Sequence, residues 1–339
     1  MQPFSYARPA TSQEAVSAFA RAGEGARFIA GGTTLYDLMK LDIEHPRHLI
    51  DITGIGGLDR IETDGDRLRF EALAPMSAVA ADPVVGRDYP VLAESLSKAA
   101  SQQLRNMATI GGNLLQRTRC LYFRNGAGGT STVGVYPCNK REPGSGCAAI
   151  GGLDRGQAVF GTSDACTAVS PGDWPVALLA MDASLEILGP SGSRTLPVGD
   201  LYRLPGDTPH LEFTLAPGEM ITAIVVPKTA AGRRSTYHKI RDRESYAFAL
   251  ASAAVALDMS GDRVERARIA LGGVATRPWR APEAERMLAG QQLTPDLALA
   301  AGHAAFRGAR PGRHNVFKVE LGAQTVADAL LIAAERSPS

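Results

Sequence analysis

The sequence lacks an excess of charge of either sign, and it lacks any long run of apolar residues. Its 36 Lys and Arg residues nearly balance 35 Asp and Glu residues, which leaves a net charge of +1 on 339 residues. Basic residues are scattered rather than gathered in a stripe, and this disfavours a nucleic-acid-binding role. No apolar run approaches the roughly 18 residues of a membrane span. The first residues lack the basic and apolar regions of a signal peptide, so we expect the chain to be cytoplasmic.

The sequence is also poor in cysteine. Its four cysteines are separated by 17, 8 and 18 residues, at Cys120, Cys138, Cys147 and Cys166. Four thiolates are the usual ligands of a [4Fe-4S] cluster. Structural zinc sites also use four thiolates but typically pair them about two to four residues apart, which is not the spacing found here. Unligated buried thiols are the third interpretation.

Hydrophobic periodicity is almost absent around these cysteines, from residue 116 to residue 163. Loops longer than roughly 12–15 residues are uncommon and are usually functional or disordered. We therefore predict an insertion at about residues 117–166, here called the cysteine segment, that folds around a metal centre. Glycines beside Cys147 would let backbone amides point at cluster sulfides. Basic side chains would offset the negative charge of a cluster: Arg117, Arg119, Lys140 and Arg141.

The remaining pattern predicts an α+β fold in three parts. Residues 1–55 alternate strand and helix as a small parallel β-α-β unit. Residues 56–227 hold a mixed or antiparallel sheet with helices and include the cysteine segment, and they end in a linker-like stretch that continues to residue 234. Residues 228–339 form a C-terminal domain with a three-stranded antiparallel sheet and helices at about 281–288, 294–306 and 324–336.

Two glycine-rich stretches suggest contacts with phosphate groups. The first glycine loop, Ala30–Leu35, lies between a predicted strand and a predicted helix, and the second is Ala108–Leu115. Glycines let the backbone approach a phosphate closely, and free N–H groups at a helix start face an anion. Together the loops would grip the two ends of an extended dinucleotide. Each loop alone is also compatible with an ordinary glycine turn or, for the second, a β-bulge.

A third candidate is the stretch Tyr237–Arg241 at the start of the C-terminal part. A lysine near a flavin ring stabilises the negative charge of the reduced ring, and Lys239 is suited to that role. The alternative is a strand whose charged side chains face solvent.

These motifs resemble those of a known family. Three of them occur in matching order in the FAD-binding medium subunits of the xanthine dehydrogenase family: Ala30–Thr33, Thr109–Asn113 and Leu271–Ala275. The resemblance covers essentially the whole chain. The cysteine segment resembles a rarer insertion found in the FAD subunits of bacterial periplasmic aldehyde oxidoreductases, at Thr118–Cys120, Pro137–Arg141 and Pro143–Cys147. Hydroxybenzoyl-CoA reductase has a comparable cluster-bearing insertion in its flavin subunit.

The resemblance implies an electron-transfer subunit of a molybdenum hydroxylase, with FAD and one [4Fe-4S] cluster as cofactors. In such a heterotrimer a large subunit holds the molybdenum cofactor and oxidises the substrate, and a small subunit holds [2Fe-2S] clusters. This chain would accept electrons on FAD and pass them to an external acceptor. A partner with a twin-arginine signal would carry the folded complex to the periplasm. The alternatives are a stand-alone flavin oxidase and a non-catalytic iron–sulfur redox protein.

The resemblance assigns no catalytic residue to this chain, but it implies cofactor contacts. The parts at 1–55 and 56–227 would be two FAD-binding subdomains. Asp173 would lie near the polar side of the flavin, Lys239 near the isoalloxazine ring, and Ile221 against that ring. All four cysteines would ligate the cluster. The implied FAD contacts are Phe28, Ile29, Ala30, Gly31, Gly32, Thr33, Thr34, Leu35, Tyr36, Thr109, Gly111, Gly112, Asn113, Gln116, Asp173, Ile221 and Lys239.

Overall fold

The computed structural model describes residues 1–125 and 135–336, and part of the predicted cysteine segment, residues 126–134, lies outside them. Within the described residues, 12 strands form three sheets, and 12 α-helices pack around the sheets. One sheet is parallel and two are antiparallel, which confirms the predicted α+β fold. In this part of the chain no helix is both long enough and apolar enough to span a membrane.

The N-terminal sheet is small and parallel, as predicted for a β-α-β unit. Its elements are β1 (Ser5–Ala7), α1 (Ser12–Ala22), β2 (Ala26–Ile29), α2 (Leu35–Lys40) and β3 (His48–Asp51). The strand order is β1-β3-β2. Helix α1 begins at Ser12 because the Thr11 hydroxyl accepts a hydrogen bond from the Glu14 N–H at 3.2 Å. The buried face of α1, with Ala15 and Val16, packs with Ile50 of β3.

The central sheet is antiparallel, with strand order β4-β5-β8-β6-β7. Its strands are β4 (Ile61–Glu62), β5 (Arg67–Glu71), β6 (Ser184–Gly189), β7 (Gly192–Pro197) and β8 (Met220–Pro227). The described part of the connection from β5 to β6 contains seven helices: α3 (Met76–Ala81), α4 (Pro83–Asp88), α5 (Pro90–Ser97), α6 (Gln102–Met107), α7 (Ile110–Leu114), α8 (Leu121–Arg124) and α9 (Trp174–Ala180). Helix α7 forms inside the second glycine loop, where the sequence predicts no helix. Short 3-10 helices follow at Val198–Asp200 and Ala230–Gly232.

The C-terminal sheet contains the three predicted long antiparallel strands and one short edge strand, in the order β12-β11-β10-β9. Its elements are β9 (Ser235–Ile240), β10 (Ala251–Ser260), β11 (Arg263–Gly272), β12 (Trp279–Arg280), α10 (Pro282–Leu288), α11 (Pro295–Phe306) and α12 (Phe317–Glu335). Helix α12 begins seven residues before its predicted start at 324. The apolar pattern did not reveal this first part because Lys318 is charged, yet its side chain is buried in the structure. Strand β10 begins at Ala251, after the predicted start at Tyr246.

The largest hydrophobic core crosses the predicted boundary at residue 227. Leu68 and Trp174 belong to the same buried cluster as Tyr237, Ala254 and Ala270 of the C-terminal sheet. The division of the chain at residues 55 and 227 stays a prediction, because one buried cluster contains residues from both sides of residue 227.

Candidate functional site

The first glycine loop connects β2 to α2 and touches the segment that enters the second loop. A Cβ atom on Gly31 would lie 1.8 Å from the carbonyl oxygen of Met107, so only glycine fits there. Gly32 has φ = 71°, a conformation that side chains rarely adopt. The described residues offer no hydrogen-bond acceptor to the backbone N–H groups of residues 31–35. The loop therefore presents free donors, as a phosphate-binding loop requires.

The second glycine loop lies against β5 and continues into α7. The Gly111 N–H donates to the Ala72 carbonyl at 2.9 Å, and a Cβ on Gly111 would lie 2.7 Å from the Ala72 Cβ. Thr109 caps α7, since its hydroxyl accepts from the Gly112 N–H at 3.2 Å. The buried side-chain oxygen of Asn113 has no partner among the described residues. An unpaired buried acceptor is costly, so this oxygen fits a site that a polar ligand completes.

Asp173 and Lys239 form a buried ion pair, 2.8 Å from Oδ2 to Nζ. The Lys239 side chain is 1% exposed, so the alternative of a solvent-facing charge is wrong. Its ammonium also donates to the Lys98 carbonyl at 3.0 Å. Burial raises the pKa of Asp173, and the charge of Lys239 opposes that rise. Residues 66 positions apart in the chain are thus brought together, and their assigned places beside the flavin stay predictions.

The other implied FAD contacts differ in exposure. Phe28 packs its ring on Phe19, with centroids 4.9 Å apart, in the N-terminal core. Ile221 is buried on β8, one residue before Thr222, whose carbonyl accepts from the Ala72 N–H beside the second loop. Tyr36 is half exposed. These positions are compatible with the assigned contacts, which stay predictions.

The cysteine segment is fastened by Arg141. Its guanidinium donates to the carbonyls of Tyr122 at 2.8 Å and Phe123 at 2.9 Å, and also to the carbonyl of Tyr136. One half-buried cation thus joins α8 to the stretch before Cys138. The cysteine segment has no hydrophobic periodicity, and charge-assisted hydrogen bonds to its backbone carbonyls hold it instead.

The basic residues of the cysteine segment are engaged with protein acceptors, and the expectation that they offset a cluster's charge stays a prediction. Arg117 pairs with Glu44 and, at 2.5 Å, with Glu212, which Lys140 also reaches at 3.1 Å. Arg119 lies 3.5 Å from Asp37, and burial followed by Arg124 lowers its pKa to about 10. These acidic partners are distant in sequence, so the sequence pattern did not indicate them.

The four cysteines gather in one region without forming disulfides. Cys138 and Cys147 face each other in an antiparallel bridge, and Cys120 packs with Cys138. Burial raises the pKa of the Cys166 thiol to about 11, Lys140 lowers it, and the thiols of Cys147 and Cys120 raise it further. Across residues 1–125 and 135–336, no three His, Cys, Asp or Glu side chains are arranged closely enough to hold a metal ion. The donor chemistry suits a cluster, but the geometry alone does not show one.

Sequence reasoning missed two residues of the buried pair's surroundings. The Tyr237 hydroxyl lies 2.5 Å from Asp173 Oδ1 and 2.9 Å from the Ser252 Oγ. Tyr237 lies two residues before Lys239 and so on the same face of β9, a signal that alternation along a strand supplies.

Comparisons with known proteins cover nearly the whole chain. Residues 2–229 match the family described as the FAD binding domain in molybdopterin dehydrogenase, and residues 235–333 match the CO dehydrogenase flavoprotein C-terminal domain. The aldehyde oxidoreductase FAD-binding subunit PaoB of Escherichia coli (strain K12) is 47% identical over 97% of this chain and 98% of its own. The carbon monoxide dehydrogenase medium chain of Afipia carboxidovorans is 30% identical over 91% of this chain and 89% of its own.

A solved structure shares the fold. A chain of the carbon monoxide dehydrogenase from Hydrogenophaga pseudoflava, in a form that lacks the Mo-pyranopterin moiety, superposes with a TM-score of 0.75 and 28% identity over 98% of this chain and 97% of that one. Sequence and fold agree over the same residues, including both glycine loops. The chain therefore belongs to the FAD-binding subunits of the molybdenum hydroxylase family of oxidoreductases, and FAD is its cofactor.

Proposed function

We propose that this chain carries electrons through FAD and one [4Fe-4S] cluster, from the small [2Fe-2S] subunit of an aldehyde-oxidising molybdenum enzyme to an external acceptor. The observation that carries the flavin part is the close approach of Gly31, in the first glycine loop, to Met107 and Ala108, where the second loop begins. The aldehyde substrate rests on the relative at 47% identity, which is named an aldehyde oxidoreductase. The chain folds in the cytoplasm, and a partner's twin-arginine signal takes the complex to the periplasm.

FAD would supply a ring that accepts electrons one at a time from an iron–sulfur cluster and releases them singly or in pairs. The free N–H groups of residues 31–35 would bind its phosphates, and the Asn113 side chain would bind its polar groups. The Lys239 ammonium has three N–H donors, of which Asp173 and the Lys98 carbonyl take two. The third is available to the flavin's polar edge. The FAD is not covalently bound, because neither loop contains a histidine or a cysteine.

The four cysteines would hold the cluster. Cys120 and Cys166 would close the entry and exit of the segment, and Cys138 and Cys147 already face each other across a bridge. Gly144 and Gly146 have φ of 87° and 98°, so the turn before Cys147 directs backbone amides in a way other residues do not allow. Only five residues separate Cys120 from Leu114, the last residue of α7, so the predicted redox centres are neighbours along the chain.

The cluster is tested by replacing each cysteine with serine in the complex purified without oxygen together with its two partner subunits. We expect iron and sulfide beyond the content of the small subunit, and loss of that excess in each Cys→Ser variant. Low-temperature EPR of the dithionite-reduced protein reports the cluster directly. Ala149→Ser is the matched control, since it adds the same hydroxyl at a buried position of the segment without removing a thiol.

Three outcomes would correct the proposal. Zinc in place of iron in the wild type contradicts the cluster. An unchanged spectrum in Cys166→Ser alone removes Cys166 from the ligand set. Yellow colour retained in the acid-precipitated pellet contradicts non-covalent FAD.

The substrate class is tested separately with the same complex. Flavin bleaching by an aromatic or aliphatic aldehyde, without bleaching by a purine or by carbon monoxide, is the expected result. Equal bleaching by a purine would contradict the aldehyde assignment and leave the electron-transfer role intact.

A further inference from the structure

The buried pair of Asp173 and Lys239 is completed by a second layer of hydroxyl groups. The Tyr237 hydroxyl lies 2.5 Å from Asp173 Oδ1, and Lys239 Nζ lies 2.8 Å from Oδ2, so each carboxylate oxygen has its own partner. Tyr237 is 0% exposed and Ser252 is 2% exposed. The carboxylate is thus held by side chains that are shielded from bulk solvent.

The network depends on a glycine in the third shared motif, Leu271–Ala275. A Cβ atom on Gly272 would lie 2.6 Å from the Ser252 Oγ and 2.8 Å from a methyl group of Val176. Ser252 pairs with Lys239 across β9 and β10, and its hydroxyl reaches Tyr237 through the space that Gly272 leaves open. The motif thus has a role in the buried network that does not require it to touch a cofactor.

Removing one partner of a buried charge pair leaves the other charge uncompensated, which is strongly unfavourable. If Asp173 lost the Tyr237 hydroxyl, its carboxylate would keep the hydrogen bond from Lys239 and the more distant charge of Arg241. With Oδ1 unpaired, the carboxylate could turn, and the ammonium bound to it would lose its fixed direction. The hydroxyl therefore helps to hold Asp173, and through it Lys239, in one orientation.

We propose that Tyr237 is a positioning residue for the flavin, which acts by holding Asp173 so that Lys239 stays an oriented cation at the ring. The inference rests on the proposed contact of Lys239 with the flavin. Reduced flavin carries negative charge that a nearby cation stabilises, so a weaker or displaced cation lowers the flavin reduction potential.

Other charged side chains near the pair include Glu94 on α5 and Arg241, the residue after β9. Glu94 accepts from the Tyr237 N–H and the Thr236 hydroxyl, both at 2.8 Å, and so holds the backbone of β9 rather than Asp173. Arg241 donates to the Lys98 carbonyl at 3.3 Å, the same oxygen that Lys239 uses. Within the described residues, the hydroxyl of Tyr237 is thus the one uncharged side-chain donor on Asp173.

The test compares the reduction potential of the bound flavin among variants of the whole complex, measured by spectroelectrochemistry. Tyr237→Phe removes the hydroxyl and keeps the ring, and Lys239→Met removes the cation. Tyr89→Phe is the matched control, because Tyr89 is a buried tyrosine of the same core without contact to Asp173. Ser252→Ala removes the second hydroxyl and serves if Tyr237→Phe does not fold.

We expect Lys239→Met to lower the potential most, Tyr237→Phe to lower it less, Ser252→Ala least, and Tyr89→Phe not at all, with FAD content preserved in the last three. A lowered potential in Lys239→Met with no shift in Tyr237→Phe and Ser252→Ala would overturn the inference and leave the proposed contact standing. No shift in Lys239→Met would overturn the contact itself, and the inference with it.

Discussion

The two glycine loops and the cysteine segment are shaped by different forces, although the second loop ends just before the segment begins. The loops are fixed by close backbone approach, where a Cβ atom on Gly31 or Gly111 would collide with another part of the backbone or its Cβ. The cysteine segment is fixed by ions: Arg141 binds three carbonyl oxygens, and Arg117 binds two carboxylates. A glycine loop held by close backbone contact cannot accept an added side-chain atom. The cysteine segment, held by ion pairs and charged hydrogen bonds, can accept substitutions that preserve the charge.

Because different forces hold the two regions, we expect a substitution in one of them to leave the cofactor of the other in place. A change in a loop should remove FAD and leave iron in place, and a change in the ionic contacts should remove iron and leave FAD. The following experiments test that separation.

The largest effect is expected for Gly31→Val. The new Cβ would overlap the Met107 carbonyl oxygen at 1.8 Å, so one loop must move away from the other and the phosphate site is lost. We expect the purified complex to contain no FAD, measured by absorbance after acid release. Gly56→Val is the control, since a Cβ there meets nothing within 4 Å. Normal FAD content in Gly31→Val would contradict the assigned loop.

Arg141→Met should have the next largest effect. The change removes the donor to three carbonyl oxygens, and each hydrogen bond to a charged group contributes about 1.5–3 kcal/mol. We expect most of the iron to be lost while FAD remains, measured by metal analysis and flavin absorbance on the same sample. Arg67→Met is the control, because Arg67 pairs with Asp66 on the surface. Equal loss of both cofactors would show that the regions are not separate.

Thr109→Ala should have a moderate effect confined to the flavin. Loss of an N-cap hydroxyl costs about 0.5–2 kcal/mol. Thr294→Ala removes the corresponding cap of α11, whose hydroxyl accepts from the Leu297 N–H at 3.2 Å. We expect both variants to lower the melting temperature, and only Thr109→Ala to weaken FAD binding in a titration of the flavin-depleted protein. Weaker binding in Thr294→Ala as well would point to a global cause.

The smallest effect, and the one that depends on pH, is expected for Asp154→Asn. Asp154 anchors the exit of the cysteine segment by accepting from the N–H groups of Arg313 and His314 at 2.8 Å. Burial raises the pKa of Asp154, but these hydrogen bonds outweigh it, and the net pKa is lowered. A lowered folded pKa stabilises the protein above the unfolded value near 3.9, and this stabilisation disappears as the pH falls through the folded pKa.

Asp154→Asn should therefore reduce the unfolding free energy by about 1–2 kcal/mol at neutral pH and by less below about pH 4. Urea unfolding at both pH values measures the difference. A penalty that stays constant with pH would mean that the charge of Asp154 contributes nothing.

Local signals in the sequence predicted much of the fold. The parallel unit in residues 1–55 and the helices at about 281–288 and 294–306 follow from short patterns and agree with the structure. The glycine loops were located by composition, because glycine is required where backbones approach. Their contact was not predictable, since Met107 lies far from Gly31 in sequence and belongs to a short helix without a clear apolar stripe.

The ionic parts of the site were the hardest to predict. Arg117 and Lys140 were expected to offset a cluster's charge, and folding also brings Glu44 and Glu212 to them from distant positions. The charge of a residue is visible in the sequence, whereas its partner is fixed only by the tertiary fold. The same limit applies to Tyr237, whose hydroxyl gains its role only when α9 places Asp173 beside β9.

The core that joins the central and C-terminal sheets has a consequence for synthesis on the ribosome. Leu68 and Trp174 share their cluster with Tyr237, Ala254 and Ala270, so the nascent chain cannot close that core until β10 and β11 have emerged. Both glycine loops leave the ribosome long before that point. We expect FAD to bind only after β11 has emerged. A chain that ends at residue 227 should therefore be unable to retain FAD.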